Sequence, residues 1–217
     1  MTAVKTIAAI LYPGFEMLDL YGPLEMFGSL PALFRIVTVA EQPGPIASAQ
    51  GPATVAEFDF ATAPPCALVL LPGGMGTLSA LTNTALLDFL RRAAAVAEVT
   101  MSVCSGSALL ARAGLLDGRR ATSNKQFFEL ARAQSANVHW VAAARWVDAG
   151  PFVTSSGVSA GIDMALAVIA RLHGVEVAEQ VAAITEYQWH RDADVDPFAH
   201  YLNATMSGLP EQLYRAP

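Results

Sequence analysis

The stretch Glu98-Val-Thr-Met-Ser-Val-Cys104-Ser-Gly-Ser-Ala-Leu-Leu-Ala111 decides the reading of this chain. Val99–Val103 is a short apolar run and predicts a buried strand. Ser105–Ala113 predicts a helix, stopped by Gly114. One cysteine stands between them, on a strand-to-helix turn. Such a turn projects a nucleophile above the sheet, often with a strained backbone. Gly106 and Ser107 are small, so the turn can be tight and a substrate can come close. The free N–H groups and positive end of the helix face the sulfur, which predicts a lowered thiol pKa. The competing reading is a buried structural cysteine, since free cysteines are among the most buried residues. That reading suits Cys66, which follows Pro64-Pro65 and precedes a strand.

Outward from Cys104, strands and helices alternate. Thr6–Tyr12, Phe34–Val39 and Ala67–Leu71 read as strands, and Gln50–Phe58 as a small hairpin arm with Gly51-Pro52 near its turn. Glu16–Leu30, Thr84–Val96, Asn124–Gln134, Ala160–His173 and Val177–Trp189 read as helices. Val138–Trp140, Arg145–Val147 and Phe152–Thr154 are short strands. The acidic, proline-containing tail after Arg191 is expected to wrap the surface. This alternation predicts an α/β, flavodoxin-like fold: a mostly parallel central sheet with helices on both faces. Neither repeats nor low-complexity linkers divide the chain, so residues 1–217 read as one domain. In such sheets the site lies beyond the carboxyl ends of the strands. Asp19, Gly73-Gly74 and Cys104 all fall at such ends.

The 217 residues are 53% hydrophobic and 15% charged, with a mean hydropathy of +0.40. That is enough apolar content for a full core. The uncharged run from Phe60 to Leu87 is broken by prolines and glycines, so a membrane span is not expected. Thirteen Lys and Arg are scattered over a chain of net charge −6, which argues against nucleic acid as a partner. The start MTAVKTIAAILYPGF reads as a buried strand rather than a signal peptide. Two cysteines in separate segments fit a reduced, cytoplasmic protein.

Gly73-Gly74 could offer backbone N–H groups to developing negative charge; the alternative is a plain turn. Asp19 sits among Met17, Leu18, Leu20 and Tyr21. It is either an exposed helix residue or a partly buried acid with a raised pKa. Glu16 reads as a solvated first-turn residue. His139, His173, His190 and His200 are far in sequence from Cys104 and form no triad pattern. HExxH, CxxC, Walker and GxGxxG patterns are absent from the sequence, so neither metal nor nucleotide cofactor is expected.

Ser102-Val-Cys104-Ser-Gly-Ser and Ala113-Gly-Leu-Leu-Asp-Gly-Arg-Arg-Ala-Thr122 resemble the ThiJ/PfpI superfamily. So do Leu18-Asp19-Leu-Tyr-Gly22-Pro23, Leu71-Pro-Gly-Gly74 and Ser156-Gly-Val-Ser-Ala-Gly-Ile-Asp163. Within it the chain is most similar to the isocyanide hydratase branch. The resemblance implies a homodimer without a cofactor, acting on a small molecule. Its catalytic residues would be Cys104 and Asp19, with Gly73, Gly74, Ser105 and Gly157 shaping the substrate end. The implied reaction adds water to an isocyanide, giving an N-substituted formamide through a cysteine thioimidate. The alternatives are glyoxalase or deglycase-like chemistry on 2-oxoaldehydes, and a non-enzymatic cysteine redox sensor. Ser105 stands where related peptidases carry a histidine, which disfavours peptidase chemistry. One departure concerns the pocket: Thr122-Ser-Asn124-Lys125 stands where isocyanide hydratases often read Thr-Thr-His-Trp.

Overall fold

The computed structural model describes residues 3–203. β1 (Lys5–Ile10) leads into α1 (Met17–Gly28), followed by β2 (Phe34–Ala40). A hairpin of β3 (Gly44–Ala47) and β4 (Ala53–Ala56) precedes β5 (Phe58–Asp59) and β6 (Leu68–Leu71). α2 (Thr77–Ala80) and α3 (Thr84–Val96) bring the chain to β7 (Val99–Ser102) and α4 (Gly106–Arg112). An excursion of β8 (Arg120–Ala121), α5 (Phe128–Arg132) and β9 (His139–Trp140) comes before β10 (Trp146–Ala149) and β11 (Phe152–Ser155). α6 (Ala160–His173) and α7 (Val175–Ile184) follow.

Seven strands form one sheet in the order β10-β11-β7-β6-β1-β2-β5. All neighbours run parallel except β10 against β11. β6 (LVLL) and β7 (VTMS) are buried along their whole length, as expected where helices cover both faces. Phe15, Phe27, Leu86 and Leu90 pack with Ile7, Ile10, Leu70 and Met101 in the core. Each such side chain contributes about 1.5–3 kcal/mol by leaving water. The register pairs Leu71 with Ser102. Pro72-Gly73 and Val103-Cys104 therefore leave the sheet side by side.

Four sequence readings need correction. The segment 50–58 is not one arm: its first part is the hairpin turn, closed by Ser48 N–H to Pro52 O at 2.9 Å, and only β4 belongs to the hairpin. α7 stops at Ile184, not Trp189, because Glu186 takes φ 51°. Tyr187 N–H then returns to Ala182 O (2.8 Å) and Glu186 N–H to Ala183 O (3.2 Å), a left-handed helix stop. The helix expected over Asn124–Gln134 shrinks to α5. Asn124 Oδ1 accepts the N–H groups of Gln126 (2.9 Å) and Phe127 (3.1 Å). A side chain that captures these backbone donors competes with helix formation.

The fourth correction is the segment after Arg191. It does not merely wrap the surface, because Asp196 is buried. Asp196 N–H donates to Ala143 O (2.8 Å), and Arg145 N–H donates to Ala193 O (2.8 Å). The Asp196 carboxylate lies 3.5 Å from both Lys125 Nζ and Arg145 Nη1. Arg145 also grips Asp163 Oδ2 through Nε (2.7 Å) and Nη2 (2.6 Å). Two cations and two anions thus balance inside the protein. Replacing Asp196 with Ala leaves Lys125 and Arg145 underneutralised in a dry site. The expected loss is about 3–5 kcal/mol, the usual cost of breaking a buried pair, read by urea denaturation.

Candidate active site

Cys104 is 6% exposed and has φ 58°. A non-glycine residue in that left-handed region carries about 1–3 kcal/mol of strain. The surroundings hold it there. Cys104 N–H donates to Ser156 O at 3.1 Å, and Cys104 O accepts from the hydroxyls of Ser107 and Ser123, both at 3.1 Å. The sulfur accepts a hydrogen bond from Asn124 Nδ2 at 3.1 Å, and the Ser105 and Val158 N–H groups also favour its ionised form.

Asp19 resolves to the buried alternative, with no exposed surface. α1 turns it inward, and Gly73 N–H donates to its Oδ2 at 2.9 Å. Oδ1 has no hydrogen-bond partner, and the carboxyl and the Cys104 thiol each bear on the other's ionisation. Gly73 makes this approach possible. A Cβ there would stand 2.6 Å from Ser105 N and 3.0 Å from Asp19 Oδ2. Gly74 N–H donates to Ser105 Oγ at 3.1 Å, and that hydroxyl also bonds Thr77 Oγ1 at 2.9 Å. Both glycine amides therefore fix protein side chains. Gly157 backs the other wall, where a Cβ would meet Asn124 Nδ2 at 2.4 Å.

The electrostatics correct one expectation. The thiol pKa is raised, not lowered. Burial is the main cause and the Asp19 charge the second; the Ser105, Asn124 and Val158 hydrogen bonds only oppose them. Burial likewise pushes the Asp19 carboxyl well up, against the pull of the Gly73 N–H, and the Glu16 charge raises it further. Two acids in contact in a dry site cannot both ionise, so they titrate as one coupled pair.

Sequence reading thus named six residues that the fold gathers at one sulfur: Cys104, Asp19, Gly73, Gly74, Ser105 and Gly157. It missed Asn124 as a donor to the sulfur and Val158 as a residue of its wall. The departure at Asn124-Lys125 was the available signal for the first. With Oδ1 occupied by two backbone donors, the Asn124 amide must turn its N–H toward Sγ. Lys125 turns away: Nζ donates to Ala144 O (2.6 Å) and Thr122 Oγ1 (3.1 Å). Asn124→Asp keeps the Oδ1 contacts but removes the donor. A hydrogen bond to a charged group is worth about 1.5–3 kcal/mol. The variant should therefore slow Cys104 alkylation by iodoacetamide at neutral pH by about tenfold or more, while the circular-dichroism spectrum stays unchanged.

A cavity of about 240 Å³ opens on Cys104, lined by Glu16, Met75, Leu78, Asn124, Phe127, Leu130 and Val158 among others. A larger cavity of about 580 Å³ lies by Phe128, Arg132 and Trp140 and contains none of these groups. None of the four histidines lines the Cys104 cavity.

Residues 5–171 match the model of the DJ-1/PfpI family. The chain belongs to the DJ-1/PfpI family. It is 34% identical over 181 residues to an isonitrile hydratase of Pseudomonas putida, covering 83% of this chain and 78% of that protein. It is also 29% identical over 177 residues to the HTH-type transcriptional regulator CdhR of Pseudomonas aeruginosa. That match covers 80% of this chain but only 52% of the regulator. Among solved structures, a ThiJ/PfpI family protein from Pseudomonas syringae superimposes with a TM-score of 0.78 at 35% identity. It covers 98% of this chain and 84% of that one. DJ-1/PfpI membership accounts for the mostly parallel sheet with helices around it. The family includes both enzymes and regulators, so the activity has to be argued from the site.

Proposed function

We propose that this DJ-1/PfpI protein is an isocyanide hydratase that works through covalent catalysis at Cys104. The observation that carries the reading is the fully buried Asp19 carboxyl beside Cys104, whose side chain lines a largely apolar cavity. The resemblance to an isonitrile hydratase along most of both chains supports the same choice.

The pair holds one proton in the working state. The reactive form in this reading is the thiolate beside a protonated Asp19, a minor form given the raised thiol pKa, and the Asn124 Nδ2, Ser105 and Val158 N–H groups favour it over the neutral thiol. The thiolate attacks the terminal isocyanide carbon and forms the S–C bond. Asp19 gives its proton to that carbon, which yields a thioimidate, R–N=CH–S–Cys104. Asp19, now a carboxylate, draws a proton from water as the water oxygen adds to the same carbon. The nitrogen takes up that proton. Collapse of the adduct breaks the C–S bond, returns the thiolate and leaves R–NH–CHO, while the hydroxyl proton goes back to Asp19. Water and isocyanide are consumed one for one, and the site ends as it began.

The test is direct. An aryl isocyanide incubated with the protein should disappear by absorbance and reappear as the formamide by mass. Lactate from methylglyoxal without isocyanide turnover would replace this reading with the 2-oxoaldehyde one.

A further inference from the structure

The charge distribution around the same cavity says which isocyanides it accepts. Its walls are mostly apolar, with Asn124, Gln126 and Ser105 as neutral polar groups, and at its mouth Met75, Leu78 and Phe127 are 59%, 56% and 41% exposed. Among the described residues lining it, Glu16 is the only charged one besides the reactive Cys104. Glu16 is fixed in place: its N–H donates to Gly73 O at 2.8 Å, and Gln50 Nε2 donates to its Oε1 at 2.6 Å. It also occupies the N-cap of α1, where its charge offsets the positive helix end that would otherwise attract anions. The cation that sequence places nearby, Lys125, is buried with Asp196. The Gly73 and Gly74 amides are committed to Asp19 and Ser105.

An anionic substituent entering this cavity would shed its water, find no cation, and face a like charge. Each of these opposes binding. We propose that the site selects neutral molecules with an apolar substituent and excludes carboxylate-bearing ones, with Glu16 as the excluding residue. The identity of the reacting group rests on the hydratase reading; the charge selection does not.

Two experiments separate the claims. In the first, Cys104 alkylation is followed by peptide mass with neutral iodoacetamide and anionic iodoacetate. In both, the sulfur displaces iodide. The preference for iodoacetamide should exceed that of 2-mercaptoethanol by tenfold or more. Glu16→Gln should shrink that excess, and Leu78→Lys at the mouth should shrink it further. Equal preferences for protein and free thiol overturn the inference. An excess unchanged in Glu16→Gln overturns the role of Glu16. In the second, kcat/KM for ethyl isocyanoacetate should exceed that for isocyanoacetate by at least tenfold. Comparable values would also overturn the inference and leave the hydratase reading standing. Selective alkylation with no isocyanide turnover would overturn the hydratase reading and leave the charge selection standing.

Discussion

Cys104→Ala protein should convert no isocyanide above the uncatalysed background, in an assay where the wild type turns over fully. The side chain supplies the bond-forming atom, and nothing else lining the cavity can take over. Asp19 is fully buried and does not line the cavity, and Ser105 Oγ is tied to Gly74 and Thr77. The loss should fall in kcat and not appear as a raised KM, because the apolar walls that hold the substituent remain. The variant should also fold. Alanine keeps the left-handed backbone at position 104 together with its strain, and the bonds from Ser107 and Ser123 go to the carbonyl, not the side chain. A folded Cys104→Ala protein with full turnover would refute covalent catalysis here.

Asp19→Asn is expected to slow turnover by about 10²–10⁴, the usual worth of a positioned acid–base group, while making the protein more stable. The sign follows from the shift. The unfolded carboxyl ionises near pH 3.9, whereas burial holds the folded one protonated to higher pH. Asp19 therefore contributes its full stability below about pH 4. That contribution is lost as pH rises toward the folded pKa, because only the unfolded chain gains from ionisation. Asparagine does not titrate and can still accept from Gly73 N–H. The variant's melting temperature at pH 7 should rise, by about 2–4 °C for each kcal/mol regained in a chain of this size. Its stability should also vary less between pH 4 and 7 than that of the wild type. Calorimetry across that range measures both effects. A lower melting temperature at pH 7 with intact activity would remove Asp19 from the mechanism. Greater stability with less activity is the trade expected of a strained catalytic group.

What the sequence reveals about this site depends on how local each feature is. Cys104 was legible because strand, cysteine, small residues and helix lie within fourteen positions. Asp19 was half legible. Its apolar neighbours left it between an exposed helix residue and a partly buried acid, and the Gly73 amide that its buried carboxyl accepts from lies 54 positions away. The direction of the thiol shift was misread for the same reason: the helix end is visible in sequence, while the Asp19 charge and the closure of the cavity are not. Asn124 was flagged as a departure and mistaken for the start of a helix. Its side chain captures backbone donors that a periodicity argument assigns to the helix itself. The sheet was easier, since β6 and β7 are short apolar runs bounded by turns. The burial of Asp196 left no local trace, because one aspartate in an acidic tail looks like its neighbours Asp192 and Asp194.

That aspartate also sets an order on biosynthesis. Until residue 196 has left the ribosome, the emerging chain holds Lys125 and Arg145 against Asp163 alone, with one positive charge in excess. The loop bearing Asn124 is joined to that cluster through Lys125. A nascent chain can therefore complete its sheet and bring Cys104 to Asp19 while this neighbouring wall is still uncompensated. Competence arrives only when Asp196 docks.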